Sequence, residues 1–233
     1  MRGAGRALLV LVLSLGFALS PGLSGGFAGL SPVQFPLVHA FWPAQPLPAA
    51  FAIWGPIFLL LIAGAGYGLW RHRRDAEWQA MRLPLAVSLG LGVFWIAVAN
   101  SAPLAATVMI IFMAAAATDA LLRAPRSPWA GAPVGLYAGW LTAAGAVAVA
   151  ATLSGYGVMS PQAAALLLLA GLGAIAALVL WHRPRALSYA AAVGWAFGGV
   201  ILANLPVRNL PVIALCAALL VLLAALALRP RSA

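Results

Sequence analysis

Acidic residues are almost missing from this chain: Asp75, Glu77 and Asp119 are the three in 233 positions. Lysine is absent, and all thirteen basic residues are arginine, which leaves a formal charge of +10. Charged residues make up 7% of the chain against 65% hydrophobic, whereas soluble domains carry about 25% charged and roughly 45–50% apolar residues. So little polar surface excludes a dispersed soluble globule. The scarcity of acids also excludes a paired-carboxylate mechanism at membrane depth. Only Asp119 falls inside an apolar run, and it stands at i,i+4 to Arg123, the spacing for a pair on one helix face. A single cysteine, Cys216, excludes an intrachain disulfide and a thiolate metal cluster. His39, His72 and His182 share no ligand spacing, and no nucleophile elbow or phosphate loop is present. No catalytic residue and no metal site are expected.

Long apolar runs are what the chain has in quantity. At roughly 20 residues per bilayer crossing, Gly, Pro and Arg divide it into eight segments, at 7–29, 50–70, 84–100, 103–122, 133–153, 161–181, 187–204 and 211–228. Continuous apolar character at that length predicts helices, because backbone groups in hydrocarbon must bond within their own segment. The alternation of a membrane β-barrel is not seen. The expected fold is all-α, a polytopic membrane helix bundle of about eight transmembrane helices in a single membrane domain over 1–233. Seven would remain if the first segment were a signal peptide, since Arg2 and Arg6 precede Ala7–Leu19 and Gly26-Phe27-Ala28 could be cleaved. The continuation of small and apolar residues to Leu30 favours a retained helix.

Arginine placement sets the orientation. Arg2, Arg6, Arg71, Arg73, Arg74, Arg82, Arg123, Arg126, Arg183, Arg185, Arg229 and Arg231 fall on one side of an eight-span chain, and Arg208 alone on the other. This positive-inside pattern puts both termini in the cytoplasm. It is not the basic stripe that tracks nucleic-acid phosphates, so no nucleic-acid partner is expected. Trp70, Trp78, Trp129 and Trp181 lie beside these arginines, where interface anchors are expected. Small residues four apart, Gly64 with Gly68 and Gly194 with Gly198, suit close helix packing within the bundle or in a homodimer. Leu83–Asn100 and Leu187–Asn204 echo each other faintly, matching at five positions that include Asn100 and Asn204.

On the side nearly free of arginine, the loop over 30–49 holds Pro32, Pro36, Pro43, Pro46 and Pro48, which stiffen it. Its Phe41 and Trp42 suit either a seat at the membrane interface or a lid over a pocket. Below it, Phe51, Trp54 and Phe58 at i, i+3 and i+7 share one face of the second segment. Trp95 lies at a depth similar to Trp54, and Trp195 near mid-membrane. Each ring alone could simply fill the bundle. Together with the loop they suggest an aromatic cavity, open outward, for a large flat ligand.

Two short motifs are familiar. Trp42-Pro43 followed by Phe51-Ala52-Ile53-Trp54-Gly55-Pro56-Ile57-Phe58 resembles the Trp/Pro loop and second helix of the tryptophan-rich sensory protein family, relatives of the mitochondrial translocator protein. The likeness is greatest to its longer bacterial branch. Pro133 with Tyr137-Ala138-Gly139-Trp140-Leu141-Thr142-Ala143-Ala144 resembles the fifth helix of that family, and Tyr189, Trp195 and Gly198 resemble a later helix of the long branch. The resemblance implies a translocator-like five-helix core over 1–153, three additional helices over 154–233, and a place in the bacterial inner membrane. It implies a ligand-binding sensory or regulatory protein with no settled catalytic activity. It also implies hydrophobic ligands such as tetrapyrroles and sterol-like lipids, and a carotenoid suits the same cavity; no cofactor is obligatory. Tyr137 and Trp140 thereby join Trp42, Phe51, Trp54, Phe58, Trp95 and Trp195 as candidate ligand-binding residues. Family members commonly carry Asn three residues before the third-helix Trp and eight after the fifth-helix Trp, where this chain has Gly92 and Ala148. The expected partners are membrane lipid, the ligand, and a second copy or a larger membrane complex. A small-molecule transporter and a structural subunit of such a complex are the alternatives.

Overall fold

The computed structural model describes residues 2–26 and 29–229. Among them eight helices follow in order: α1 (Arg2–Leu23), α2 (Trp54–Arg71), α3 (Ala76–Ser101), α4 (Pro103–Arg123), α5 (Pro128–Gly155), α6 (Pro161–His182), α7 (Leu187–Asn204) and α8 (Leu210–Leu228). Short 3-10 turns at Pro32–Gln34 and Pro48–Ile53 shape the long loop after α1. All eight helices are long and apolar enough to cross a membrane. The protein is a polytopic membrane helix bundle.

Local chemistry sets the helix ends. Proline occupies the first turn of α4, α5, α6 and α8, where a missing N–H costs nothing. Asp75 caps α3 by accepting from the backbone N–H of Glu77 at 2.9 Å and of Trp78 at 3.4 Å. Helix α1 stops at Leu23, short of the expected 29, because Gly25 and Gly26 take left-handed φ of 77° and 78° and the Gly26 N–H turns back to the Pro21 carbonyl at 2.8 Å. Phe27 and Ala28 of the supposed cleavage site lie outside the described residues, as does Arg231. Helix α1 belongs to the bundle core: Val10 and Phe17 are buried in it, and α1 packs on α2 and α3.

The arginine-bearing junctions meet at one end of the bundle. Gln79 Nε2 donates to the Gly3 and Arg73 carbonyls at 3.0 and 2.8 Å, Arg183 donates to the Leu122 and Pro125 carbonyls, and Arg229 donates to that of Trp181. Asp119 and Arg123 form an exposed pair at this end, 2.7 Å apart. Trp70, Trp129 and Trp181 are exposed here, as anchors require, but Trp78 is not. It is 2% exposed, stacked on the His72 ring at 4.8 Å. The reason is Gly68, whose missing side chain leaves the space: a Cβ there would come within 2.5 Å of the Trp78 ring. Arg82 is buried beside it and donates to the carbonyls of Gly68, His72 and Arg73 at 2.8, 3.0 and 3.2 Å. It thereby satisfies the open C-terminus of α2, where a cation suits the helix dipole.

Helix α5 is the centre, packed by α2, α4, α6 and α7. Gly64 presses on Trp129 and Pro133 of α5, so this pair of small residues serves packing within the chain, while Gly198 faces open space. At the opposite end, Asn100 donates to the Ser24 carbonyl at 2.8 Å and Asn204 to the Pro43 carbonyl at 2.9 Å. The two echoing segments therefore end alike, each tied to the long loop.

Candidate functional site

The loop over 29–53 folds down onto the bundle and is fixed by polar contacts along its length. Gln34 Nε2 donates to the Ala99 carbonyl of α3 at 2.8 Å, and its Oε1 accepts from the Ser31 N–H. The Leu37 N–H reaches the Gly155 carbonyl at 2.9 Å, His39 Nε2 lies 3.1 Å from the Ser154 carbonyl, and the Leu47 N–H reaches the Gly199 carbonyl of α7 at 3.1 Å. Phe35 fits against Gly155, where a side chain would collide with it, and meets the edges of Trp42 and Tyr156. Trp42 is buried (7% exposed) against α5, so it acts as part of a cover and not as an interface seat. Phe41 beside it is exposed.

Under the cover lies a cavity of about 40 Å³, walled by Phe51, Trp95, Ile110, Trp140 and a stripe of α5 (Ala143, Ala144, Val147, Ala148, Ala151), with Gln45, Pro46, Leu30, Gly29 and Ala196 closing it. The walls are nearly all apolar. Trp95 is anchored through Nε1–H to the Ala106 carbonyl at 2.9 Å. Trp140 is different: its Nε1–H, like that of Trp42 in the cover, is buried without an acceptor among the described residues. A buried donor left unpaired costs about 1–3 kcal/mol.

Next to the cavity, six rings interlock. Trp54 stacks on Phe58 at 5.4 Å and meets the edge of Trp140 at 6.2 Å. Phe51 meets Trp140 at 5.7 Å, and Phe17 of α1 touches Trp54, Phe58 and Tyr137 at 5.5, 5.2 and 5.9 Å. Tyr137 is fully buried, with its hydroxyl 2.8 Å from Ser88 Oγ, which itself lies 2.8 Å from the Met113 carbonyl. Of the expected site residues, Phe51, Trp95 and Trp140 thus wall the cavity. Trp54, Phe58 and Tyr137 back it, and Trp42 covers a neighbouring void. Trp195 stands apart, half exposed on the outer flank of α7, with its Nε1–H donating to the Ala50 carbonyl at 2.8 Å.

A family model described as TSPO-like protein matches residues 39–228, from the covering loop through α8. The chain belongs to the TSPO-like family. Comparison with curated proteins and with solved structures gives no match.

Within this TSPO-like chain the two asparagine positions named above have physical explanations. A Cβ on Gly92 would lie 3.1 Å from the Phe17 ring, so the ring occupies the space an asparagine would need. Ala148 is a wall of the cavity, and its methyl keeps that wall apolar. Gly92→Asn should therefore destabilise the fold by about 1–3 kcal/mol through overpacking, and Phe17→Ala by about 3–5 kcal/mol. The double variant should lose less than the sum by about 1 kcal/mol or more, because each change relieves the other. Thermal unfolding of all four proteins in detergent checks this; additive losses would show that ring and glycine are not coupled.

Phe17 and the alanine stripe were not among the expected site residues. The stripe carried a signal: alanines at 143, 144, 148 and 151, with Val147 among them, follow helical spacing directly after Trp140. Phe17 carried none, since nothing distinguishes it from its apolar neighbours in α1.

Proposed function

We propose that this TSPO-like protein is a ligand-binding sensory or regulatory protein of the bacterial inner membrane, with both termini cytoplasmic. Its ligand is flat and hydrophobic, of the tetrapyrrole, carotenoid or sterol-like kind, and it binds beneath the covering loop. The observation that carries the reading is the apolar, aromatic-walled cavity with an unpaired indole N–H in its wall. Apolar walls with a few placed polar groups are the usual make-up of such sites, and the Trp140 donor calls for a ligand with a hydrogen-bond acceptor. The orientation rests on the arginine asymmetry.

Ligand pockets for molecules of this size measure roughly 300–1,000 Å³, far above the 40 Å³ present. Binding must then be coupled to displacement of the cover or the rings. That coupling is what a sensor needs, since a ligand shifts a two-state equilibrium only by binding one state better than the other. The hydrogen bonds from the loop to α3, α5 and α7 would be the contacts exchanged.

Trp140→Phe tests the reading. It keeps a ring in the wall and removes the unpaired donor, so protoporphyrin IX, titrated by absorbance, should bind about fivefold more weakly, near 1 kcal/mol for one hydrogen bond. The ligand-free protein should be no less stable, because a buried unpaired group is gone. Trp70→Phe, at an exposed belt position, should bind like the parent. Unchanged affinity in Trp140→Phe would remove the ligand from this wall.

A further inference from the structure

At the arginine end, a groove of about 1210 Å³ runs between the α4–α5 and α6–α7 junctions. Arg123, Arg126, Arg183, Arg185 and Arg229 line it, together with the exposed ring of Trp181. Asp119 neutralises Arg123 at 2.7 Å. Among the described residues no carboxylate lies within ion-pair distance of the other four, and Glu77 at the rim pairs with none of them. Backbone carbonyls hold some of these cations in place without cancelling their charge. Arg183 donates to Leu122 and Pro125, both at 3.3 Å, and Arg229 donates to Trp181 at 2.8 Å while lying 4.5 Å over its ring. Burial, and then the like charge of Arg126, pull the Arg183 guanidinium below its usual range. Arg185 sits at a φ of 63°, in the left-handed region that a residue with a side chain adopts rarely. Orientation of the chain needs arginines anywhere in these loops; it does not need four facing a common groove with no carboxylate partner among the described residues.

We propose that this groove binds the phosphate headgroup of an anionic phospholipid from the leaflet on the arginine side. Guanidinium groups match phosphate oxygens in bidentate geometry, and basic pockets between transmembrane helices suit such headgroups. A lipid fits better than a free phosphate because Trp181, Leu122 and Leu187, all exposed, border the same groove and offer acyl chains an apolar surface. A soluble anion has no use for them.

The test is native mass spectrometry of the full chain in detergent, titrated with cardiolipin, with phosphatidylcholine, and with cardiolipin in the presence of pyrophosphate. Arg126→Gln/Arg185→Gln removes two groove charges whose side chains hold no hydrogen bond or ion pair among the described residues. Arg71→Gln/Arg74→Gln removes the same charge elsewhere on that end. Cardiolipin affinity should fall about tenfold or more in the groove variant, in keeping with two arginines at an anionic surface, and less than about threefold in the other. Arg126→Gln alone, with an intermediate loss, keeps the test open should the double variant elute as unfolded material. Equal losses in the two double variants would reduce the effect to general charge and overturn the site. Phosphatidylcholine bound as tightly as cardiolipin would overturn anion recognition. Displacement of cardiolipin by equimolar pyrophosphate would overturn the lipid assignment in favour of a soluble phosphate.

Discussion

Gly139→Leu will prise α5 from α7 and lower the stability of the whole bundle. A Cβ at this position would stand 2.5 Å from the Tyr189 carbonyl, 2.9 Å from Ala192 Cβ and 3.1 Å from Tyr189 Cα. Two of those three atoms are backbone, so no side-chain rotation relieves the clash and the helices must move apart. Overpacking costs about 1–3 kcal/mol where side chains can yield and more where they cannot, so a loss on the order of 3 kcal/mol or more is expected here. The damage spreads because α7 also supports the cover, through the Leu47–Gly199 and Asn204–Pro43 hydrogen bonds. Gly145→Ala on the same helix is the control. Nothing lies within 4 Å of a Cβ there, and replacing a helical glycine by alanine gains roughly 0.5–1 kcal/mol. Apparent unfolding midpoints in one detergent compare the two. Similar midpoints would mean that the α5–α7 contact is not what holds these helices.

The spans were legible in the sequence because hydropathy, proline and arginine all change at the same places. Helices α4, α6, α7 and α8 begin and end within a residue or two of the expected bounds. Which face of each helix points inward was much harder to see. Lipid is as apolar as the bundle interior, so hydropathy cannot separate Trp195, half exposed on one flank, from Trp140, 2% exposed at the centre. The inward signal lies instead in small and hydroxyl residues: Ser14, Ser88, Thr107 and Thr142 are all buried, as are Gly92, Gly135 and Gly139. Ser88, Gly92 and Trp95 at i, i+4 and i+7 mark the inner face of α3 in this way. Trp78 misled for the same reason, since its nearness to arginines says nothing about the space Gly68 leaves for it.

The resemblance gave Phe51 and Trp140 as ligand-binding residues but not the α5 stripe that completes the cavity, although Ala143 and Ala144 lie in its motif, and that stripe is where the proposed ligand site is most vulnerable. Ala148 is 6% exposed and lines the cavity together with Trp95 and Trp140. Ala148→Leu adds three carbons to a space of about 40 Å³. The existing void takes up part of that bulk, so the cost to the ligand-free fold should stay near the lower end of the ~1–3 kcal/mol range for overpacking. The bound state has no such slack, because a flat ligand needs the stripe clear along its face. Protoporphyrin IX affinity should fall at least about tenfold, that is about 1.4 kcal/mol or more. Ala191→Leu, on the exposed side of α7, adds the same carbons facing outward and should leave affinity as in the parent. Loss in Ala148→Leu with the midpoint nearly held, and none in Ala191→Leu, puts the ligand against α5 under the loop. Equal binding by both variants would leave the cavity a packing defect and the aromatic rings ordinary bundle filling, and the reading as a ligand-binding sensor would fall with it.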